Sequence, residues 1–341
     1  MKRIFILITV VLFTVGAAFA DEAVLIDFAK LVADIHVNDG SDGDTPNQNR
    51  RTIMDYGANA GGSFTEEQKG LMKTSLAITN WEIELASSSR TVGNVRLSYA
   101  AAAPSKQFGN VMGVRVHFPL EPFNSWAIVK PPFEIPAFES GTVGDDGTIE
   151  ADANEDPNAL SRFEDGYGVI KNVGAIKSVA VDVYGLNFPH SLSSILIDSQ
   201  GNQKTVFMGY LGFDGWGELR WENPAYVQNV RDRELRIYPL YPESTPFLKF
   251  GGFLIQRDAA QPGGDYIGYF RDVKVIYDKA VLDTERDIDD EAQWGIVRDR
   301  EAAKKVYEME QFGQNQVLRY LESQKQATEN SFTPASTADQ Q

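Results

Sequence analysis

Hydrophobic and polar residues alternate with a period of two over much of the chain, a pattern typical of half-buried β-strands. About ten to thirteen such strands, with no helix between them, predict a mainly β chain that forms an antiparallel, jelly-roll-like β-sandwich. In the predicted strand 75–86, the expected inward residues are Leu76, Ile78, Trp81, Ile83 and Leu85. The predicted strands are 23–32, 75–86, 92–100, 113–120, 174–186, 191–201, 202–212, 234–241, 247–258 and 266–278.

The alternation ends near residue 280, so the sandwich is predicted to occupy residues 21–280. Residues 281–327 are rich in Glu, Lys, Gln and Ala, and their apolar residues recur every three or four positions, which predicts a C-terminal helical arm. The expected apolar face of this arm is Val306, Met309, Gly313, Val317, Tyr320 and Leu321. The polar residues 328–341 are predicted to be a disordered tail.

The first twenty residues have the pattern of a secretory signal peptide. Lys2 and Arg3 precede an apolar run that extends to Val15, and Ala18-Phe19-Ala20 fits the small-x-small rule for signal peptidase. Cleavage is therefore predicted between Ala20 and Asp21, with export of the mature chain. The apolar run is shorter than the roughly 20 residues that a membrane span needs, so membrane insertion is not expected.

The chain is strongly acidic, with a formal net charge of −16. Without the predicted leader, which carries two of the 32 basic residues and none of the 48 acidic ones, the net charge is −18. This charge argues against a nucleic-acid partner and permits a basic protein or divalent cations. Two long acidic loops are predicted at 36–51 and 139–168, and the absence of cysteine excludes disulfides.

The residues offer little for catalysis, and no catalytic residue is predicted. His36, His117 and His190 are the only histidines, and none lies in a nucleophile or zinc motif. The acidic run at 287–291 loosely resembles a strand of jelly-roll glycosidases, which need two carboxylates about 5–9 Å apart across a cleft. We interpret it as the acidic start of the helical arm, because acidic side chains are favourable at a helix N-terminus.

A calcium loop is only partly matched. Asp152, Asn154 and Asp156 have the spacing of an EF-hand, but Pro157 replaces the required glycine and Phe163 stands where the bidentate glutamate belongs. The favoured interpretation is a solvated acidic loop without a cofactor, and an irregular Ca²⁺ site is left open as the alternative.

The segment 209–227 concentrates aromatic residues among glycines. Its rings can fill a core, anchor an interface or stack on a sugar, since Trp and Tyr serve all three purposes. Core packing is the favoured interpretation, so we expect Trp216 and Trp221 to be mostly buried. The candidate residues of this cluster are Tyr210, Phe213, Trp216, Trp221 and Tyr226.

Several stretches together resemble a known family. They include "NWEIELASSSRTVGN", "IKSVAVDVYGLNFPHSLSSILIDSQG" and "GYFRDVKVIYDKAV", and the most specific is "LGFDGWGELRWENPAYV". On these motifs the chain is similar to the spirochaete flagellar filament outer-layer proteins, the FlaA-type sheath proteins of periplasmic flagella. The resemblance covers essentially the whole mature chain.

The resemblance implies a structural, non-enzymatic protein of the filament sheath. Its partners would be core flagellin subunits and neighbouring sheath subunits, and it would be located in the periplasmic flagellum. It would influence the stiffness or shape of the filament and so cell motility. The alternative is a periplasmic carbohydrate-binding β-sandwich module. An exposed, coplanar pair of Trp216 and Trp221 would favour that alternative, and burial of both rings would exclude it.

Overall fold

The computed structural model describes residues 21–31, 52–60, 62–70, 72–137, 142–143, 149–150, 162–226 and 246–280, together with individual residues between 293 and 325. These residues form mainly antiparallel strands, together with the short α-helices α1 (Glu66–Gly70) and α2 (Val92–Leu97). Short 3-10 helices lie at Phe28–Leu31, Gly57–Ala60, Ile78–Asn80 and Ser87–Ser89. The strands are β1 (Asp21–Asp27), β2 (Met54–Asp55), β3 (Lys73–Thr74), β4 (Glu82–Leu85), β5 (Tyr99–Ser105), β6 (Gly109–Phe118), β7 (Ser125–Lys130), β8 (Thr142–Val143), β9 (Ile149–Glu150), β10 (Val169–Lys171), β11 (Val173–Leu186), β12 (Ser191–Asp198), β13 (Gln203–Tyr210), β14 (Asp214–Glu222), β15 (Phe247–Arg257) and β16 (Gly264–Lys279).

Two six-stranded sheets form the sandwich, as the alternation predicts. The first sheet has the order β14-β11-β16-β6-β5, and the second has the order β13-β12-β15-β7-β4. The long central strand β16 pairs with β6 along its first half and with β1 along its second half. In the second sheet, β15 likewise pairs with β10 at its start and with β7 at its end. Every one of these pairings is antiparallel.

The core lies between the sheets and follows from the period of two. Alternate residues of β11, namely Val179, Val181 and Val183, are fully buried, because every second side chain of a strand points to the same face. Phe253 of β15 stacks on Phe270 of β16 with 4.5 Å between ring centroids, which joins the two sheets. The segment 75–86 is not the single strand that the alternation predicts, because only Glu82–Leu85 is a strand and Ile78–Asn80 is a 3-10 helix. Its expected inward residues Leu76, Ile78, Trp81 and Leu85 are nevertheless buried, and Ile83 is partly buried.

The segment 92–100 differs from the predicted strand. Its first six residues form α2, because the Thr91 side chain caps the helix by accepting a hydrogen bond from the Asn94 backbone N–H. The strand β5 begins only at Tyr99. Together with α1, this helix also corrects the expectation that no helix interrupts the strands.

The predicted loop 139–168 is described in parts. The two-residue strands β8 and β9 pair with each other, and Phe163 is buried against Phe133, so the end of this segment belongs to the core. The leader 1–20, the loop 36–51, the predicted strand 234–241 and the tail 328–341 lie outside the described residues. Individual arm residues are helical, and Tyr320 contacts Phe64 with 6.2 Å between ring centroids.

Candidate interaction surfaces

The two tryptophans of the aromatic segment point to opposite faces of β14. Trp216 lies opposite Tyr184 of β11, whereas Trp221 lies opposite the buried Val179. Cross-strand neighbours share a face of the sheet, so Trp221 points into the sandwich and Trp216 points out of it. Both side chains are partly buried. They therefore do not form the coplanar platform that a sugar-binding interpretation of this pair needs.

A row of partly buried aromatic rings crosses the outer face of the first sheet. Trp216 contacts Phe108 and Tyr184 edge to face, with centroid distances of 4.9 and 5.4 Å, and Tyr184 contacts Tyr269 at 6.0 Å. Phe108 belongs to the turn between β5 and β6 and also carries the Arg271 guanidinium over its ring at 4.2 Å. Edge-to-face packing is a favourable arrangement of aromatic rings, so the row stabilises this face of the sheet.

The inward side of β14 closes the sandwich at its edge. Leu219, Trp221 and Phe213 pack against the core. The Phe213 ring lies over Gly185 and Gly217, where an added Cβ would meet ring carbons at 3.0 Å. These glycines are therefore needed for close packing of a bulky ring, as the glycine-rich sequence of this segment suggests.

An exposed aromatic pair lies on the outer face of the second sheet. A β-bulge at Met208 and Gly209 interrupts the pairing of β13 with β12, so that Phe207 and Tyr210 project on the same side although they are three residues apart. Their rings meet edge to face at 5.4 Å, and they are 50% and 63% exposed. Exposed aromatic side chains of this kind are typical anchors of protein interfaces.

Tyr226 closes the aromatic segment and is tied to the first sheet. Its hydroxyl donates a hydrogen bond of 2.9 Å to Asp278 Oδ2, and the Lys177 ammonium lies 5.8 Å from its ring centroid. Burial raises the pKa of the Tyr226 hydroxyl, and the hydrogen bond with Asp278 raises it further. The role of Tyr226 in the described structure is to hold the end of this segment on the sheet.

Asp272 is a buried acid on β16, next to a cluster of charges. Asp182 accepts hydrogen bonds from Arg271 at 3.2 Å and from Lys274 at 3.3 Å. Asp272 Oδ1 has no hydrogen-bond partner among the described residues, and Oδ2 lies 3.5 Å from Arg271 Nε. Only 4% of the residue is exposed. Burial raises the pKa of Asp272 to about 6, with Lys274 and Arg271 opposing that rise and Asp182 and Asp27 adding to it.

Two of the three histidines are described, and neither lies in a catalytic arrangement. His117 Nδ1 is 2.7 Å from Asp265, which also accepts from Arg115. His190 is buried beside Gln261, and burial lowers its pKa. Among the described residues, no three His, Asp or Glu side chains are grouped so that they could hold a metal ion. His36, the partial calcium motif 152–156 and the acidic run 287–291 lie outside the described residues.

Comparison with known proteins gives consistent matches. A sequence profile described as "Flagellar filament outer layer protein FlaA" matches residues 45–286. The chain is 51% identical to a protein of Treponema pallidum named "Flagellar filament outer layer protein", over 100% of this chain and 99% of the relative. It is 47% identical to a protein of the same name from Spirochaeta aurantia, over 99% and 97% of the two chains. A Borreliella burgdorferi protein of that name is 32% identical over 66% of this chain and 62% of its own.

Comparison with solved structures gives weaker matches. A family 61 carbohydrate-binding module in complex with β-1,4-galactotriose has 7% identity and a TM-score of 0.27, over 59% of this chain and 90% of the module. A family 11 carbohydrate-binding module from Clostridium thermocellum has 8% identity and a TM-score of 0.25, over 61% and 91%. Likenesses of this size carry no functional argument.

Among the described residues, no helix is long and apolar enough to cross a bilayer.

Proposed function

Because the chain belongs to the flagellar filament outer layer protein family, we propose that it is a structural, non-enzymatic subunit of the outer layer of a periplasmic flagellar filament. It lies on a core of flagellin subunits and beside further copies of itself. There it contributes to the stiffness or shape of the filament and so to cell motility. Its predicted leader would deliver it to the periplasm.

One observation carries the proposal: two relatives named as outer layer proteins match this chain at 47–51% identity over nearly their full length. Identity at this level over nearly the full length supports the same fold and the same role. The exposed pair Phe207 and Tyr210 is consistent with an assembly role, because exposed aromatic side chains commonly anchor interfaces. A repeated lattice also tolerates weak individual contacts, since many act together.

Removal of the protein tests this function. We expect filaments isolated from a deletion strain to be thinner and to bend more easily than wild-type filaments, because a layer of subunits adds bending resistance to the core. Electron microscopy gives the diameter, and the curvature fluctuations of single filaments give the bending stiffness. Re-expression of the wild-type gene serves as the control and should restore both values. Unchanged diameter and stiffness in the deletion strain would contradict the proposal.

A further inference from the structure

A basic and apolar surface, unlike the rest of the chain, lies at one edge of the sandwich. No acidic residue occurs between Glu84 and Glu121, although the chain as a whole carries a net charge of −16. Residues 90–106 of this stretch comprise α2, the edge strand β5 and the residues that flank them, and we call this surface the basic edge. Arg90, Arg96 and Lys106 are exposed there and make no ion pair within the described part of the chain.

The apolar residues of the basic edge are also uncovered. Val92 is 69% exposed and Tyr99 is 50% exposed, and Val95 and Leu97 are exposed beside them. A six-residue helix with apolar side chains directed at solvent gains little stability by itself, because helices in proteins are stabilised mainly by packing an apolar face. Unpaired cations around uncovered apolar side chains are therefore the features of a contact surface for an acidic partner.

A complementary surface lies at the opposite edge of the sandwich, on β13 and β14, and we call it the acidic edge. Asp214 and Glu222 of β14 are exposed and make no ion pair with a described residue. Phe207 and Tyr210 of β13 supply exposed aromatic rings at the same edge, on the outer face of the second sheet, whereas Asp214 and Glu222 lie on the outer face of the first. In the first sheet β14 and β5 are the two end strands, four strand spacings or roughly 19 Å apart.

We infer that the basic edge of one copy binds the acidic edge of the next copy. Contact between two basic edges would bring Arg90 and Arg96 against their own equivalents, so like charges disfavour a symmetric dimer. Contact between unlike edges pairs opposite charges and buries exposed apolar side chains of both edges. Such a head-to-tail contact leaves a free edge on each end copy, so it adds further subunits to a row unless the rotation between copies closes a ring. The inference rests on the proposed function, because a continuous outer layer requires a repeated lateral contact.

Charge reversal on the two edges tests the contact with purified full-length mature protein. The basic-edge variant is Arg90→Glu/Arg96→Glu, and the acidic-edge variant is Asp214→Lys/Glu222→Lys. In sedimentation velocity at low salt, wild-type protein should associate as its concentration rises, and this association should weaken with added salt. Each variant alone should need at least about tenfold higher concentration to associate, because both of its edges then carry the same charge. An equimolar mixture of the two variants should recover association, because their edges are again opposite.

Lys69→Glu/Lys279→Glu is the matched control, since it changes the net charge as much as the basic-edge variant does and should associate like wild type. Circular dichroism and thermal unfolding establish that each variant is folded. The inference is overturned if wild-type protein stays monomeric, if either edge variant associates like wild type, or if the mixture stays monomeric. A different result would contradict the proposed function: the protein would be absent from isolated filaments, even if the purified chains associate through these edges.

Discussion

We expect Phe253→Ala to lower the free energy of unfolding by about 3–5 kcal/mol, the range typical for deletion of a buried phenylalanine ring. Phe253 is fully buried, stacks on Phe270 of the opposite sheet and lies 5.0 Å from the Phe250 ring centroid. Its ring also lies 6.0 Å from that of Phe28, which follows β1. Removal of the ring leaves a cavity where both sheets meet, and the surrounding aromatic rings cannot collapse fully into it.

Urea unfolding followed by circular dichroism measures this loss, and Phe207→Ala is the matched control. Phe207 is also a phenylalanine of the second sheet, but half of its surface is exposed, so its removal should cost less than about 1 kcal/mol. A loss for Phe253→Ala no larger than that for Phe207→Ala would show that the interface between the sheets is not the principal core.

We expect Asp272→Asn to have the second large effect on the free energy of unfolding, and the size of this effect depends on pH. The folded pKa of Asp272 is about 6, above the ordinary value of 3.8, so the folded chain binds this proton more tightly than the unfolded chain does. The stability of the wild-type protein therefore falls as the pH rises from about 4 to about 6, by up to about 3 kcal/mol from this group. Asparagine has no such titration. The stability of the variant relative to wild type should rise by that amount between pH 4 and pH 7.

Denaturant unfolding at a series of pH values measures the difference between variant and wild type. Asp265→Asn is the control, because hydrogen bonds from Arg115 and His117 lower the pKa of Asp265. A lowered pKa supplies stability above the unfolded pKa, and this stability is lost in acid. The difference between Asp265→Asn and wild type should therefore change below about pH 4, in the opposite direction to that of Asp272→Asn. A difference for Asp272→Asn that stays constant from pH 4 to pH 7 would show that this carboxylate is not held in an unfavourable environment.

The sequence predicts the sandwich well wherever one face of a strand is buried and the other is not. In β16 burial follows the period of two except at residues 272–273, and in β11 the valines 179, 181 and 183 follow it although Ser178 and Ala180 are buried as well. The structure confirms both strands almost to their ends. The same reasoning is wrong for residues 92–97, where the alternation of Val95, Leu97 and Tyr99 suggests a strand. These side chains are exposed, so their spacing reflects no buried face, and the local cap at Thr91 favours a helix.

The candidate surfaces are less predictable, because they depend on register and bulges. The odd separation of Trp216 and Trp221 puts them on opposite faces only if one unbroken strand contains both, which the pairing of β14 with β11 establishes. Phe207 and Tyr210 share a side only because of the bulge in β13. The basic edge has a signal in the sequence, the absence of acidic residues from 85 to 120, which pattern analysis of strands does not use.

Labelling of isolated periplasmic filaments tests the central claim most directly. Filaments from the organism that carries this chain would be purified, incubated with antibody against the full-length mature protein, and viewed by immunogold electron microscopy. If the protein lies in the outer layer, gold particles should line the filaments of wild-type cells and be absent from those of the deletion strain. Unlabelled filaments, with the protein recovered only in the soluble periplasmic fraction, would contradict a role in the outer layer.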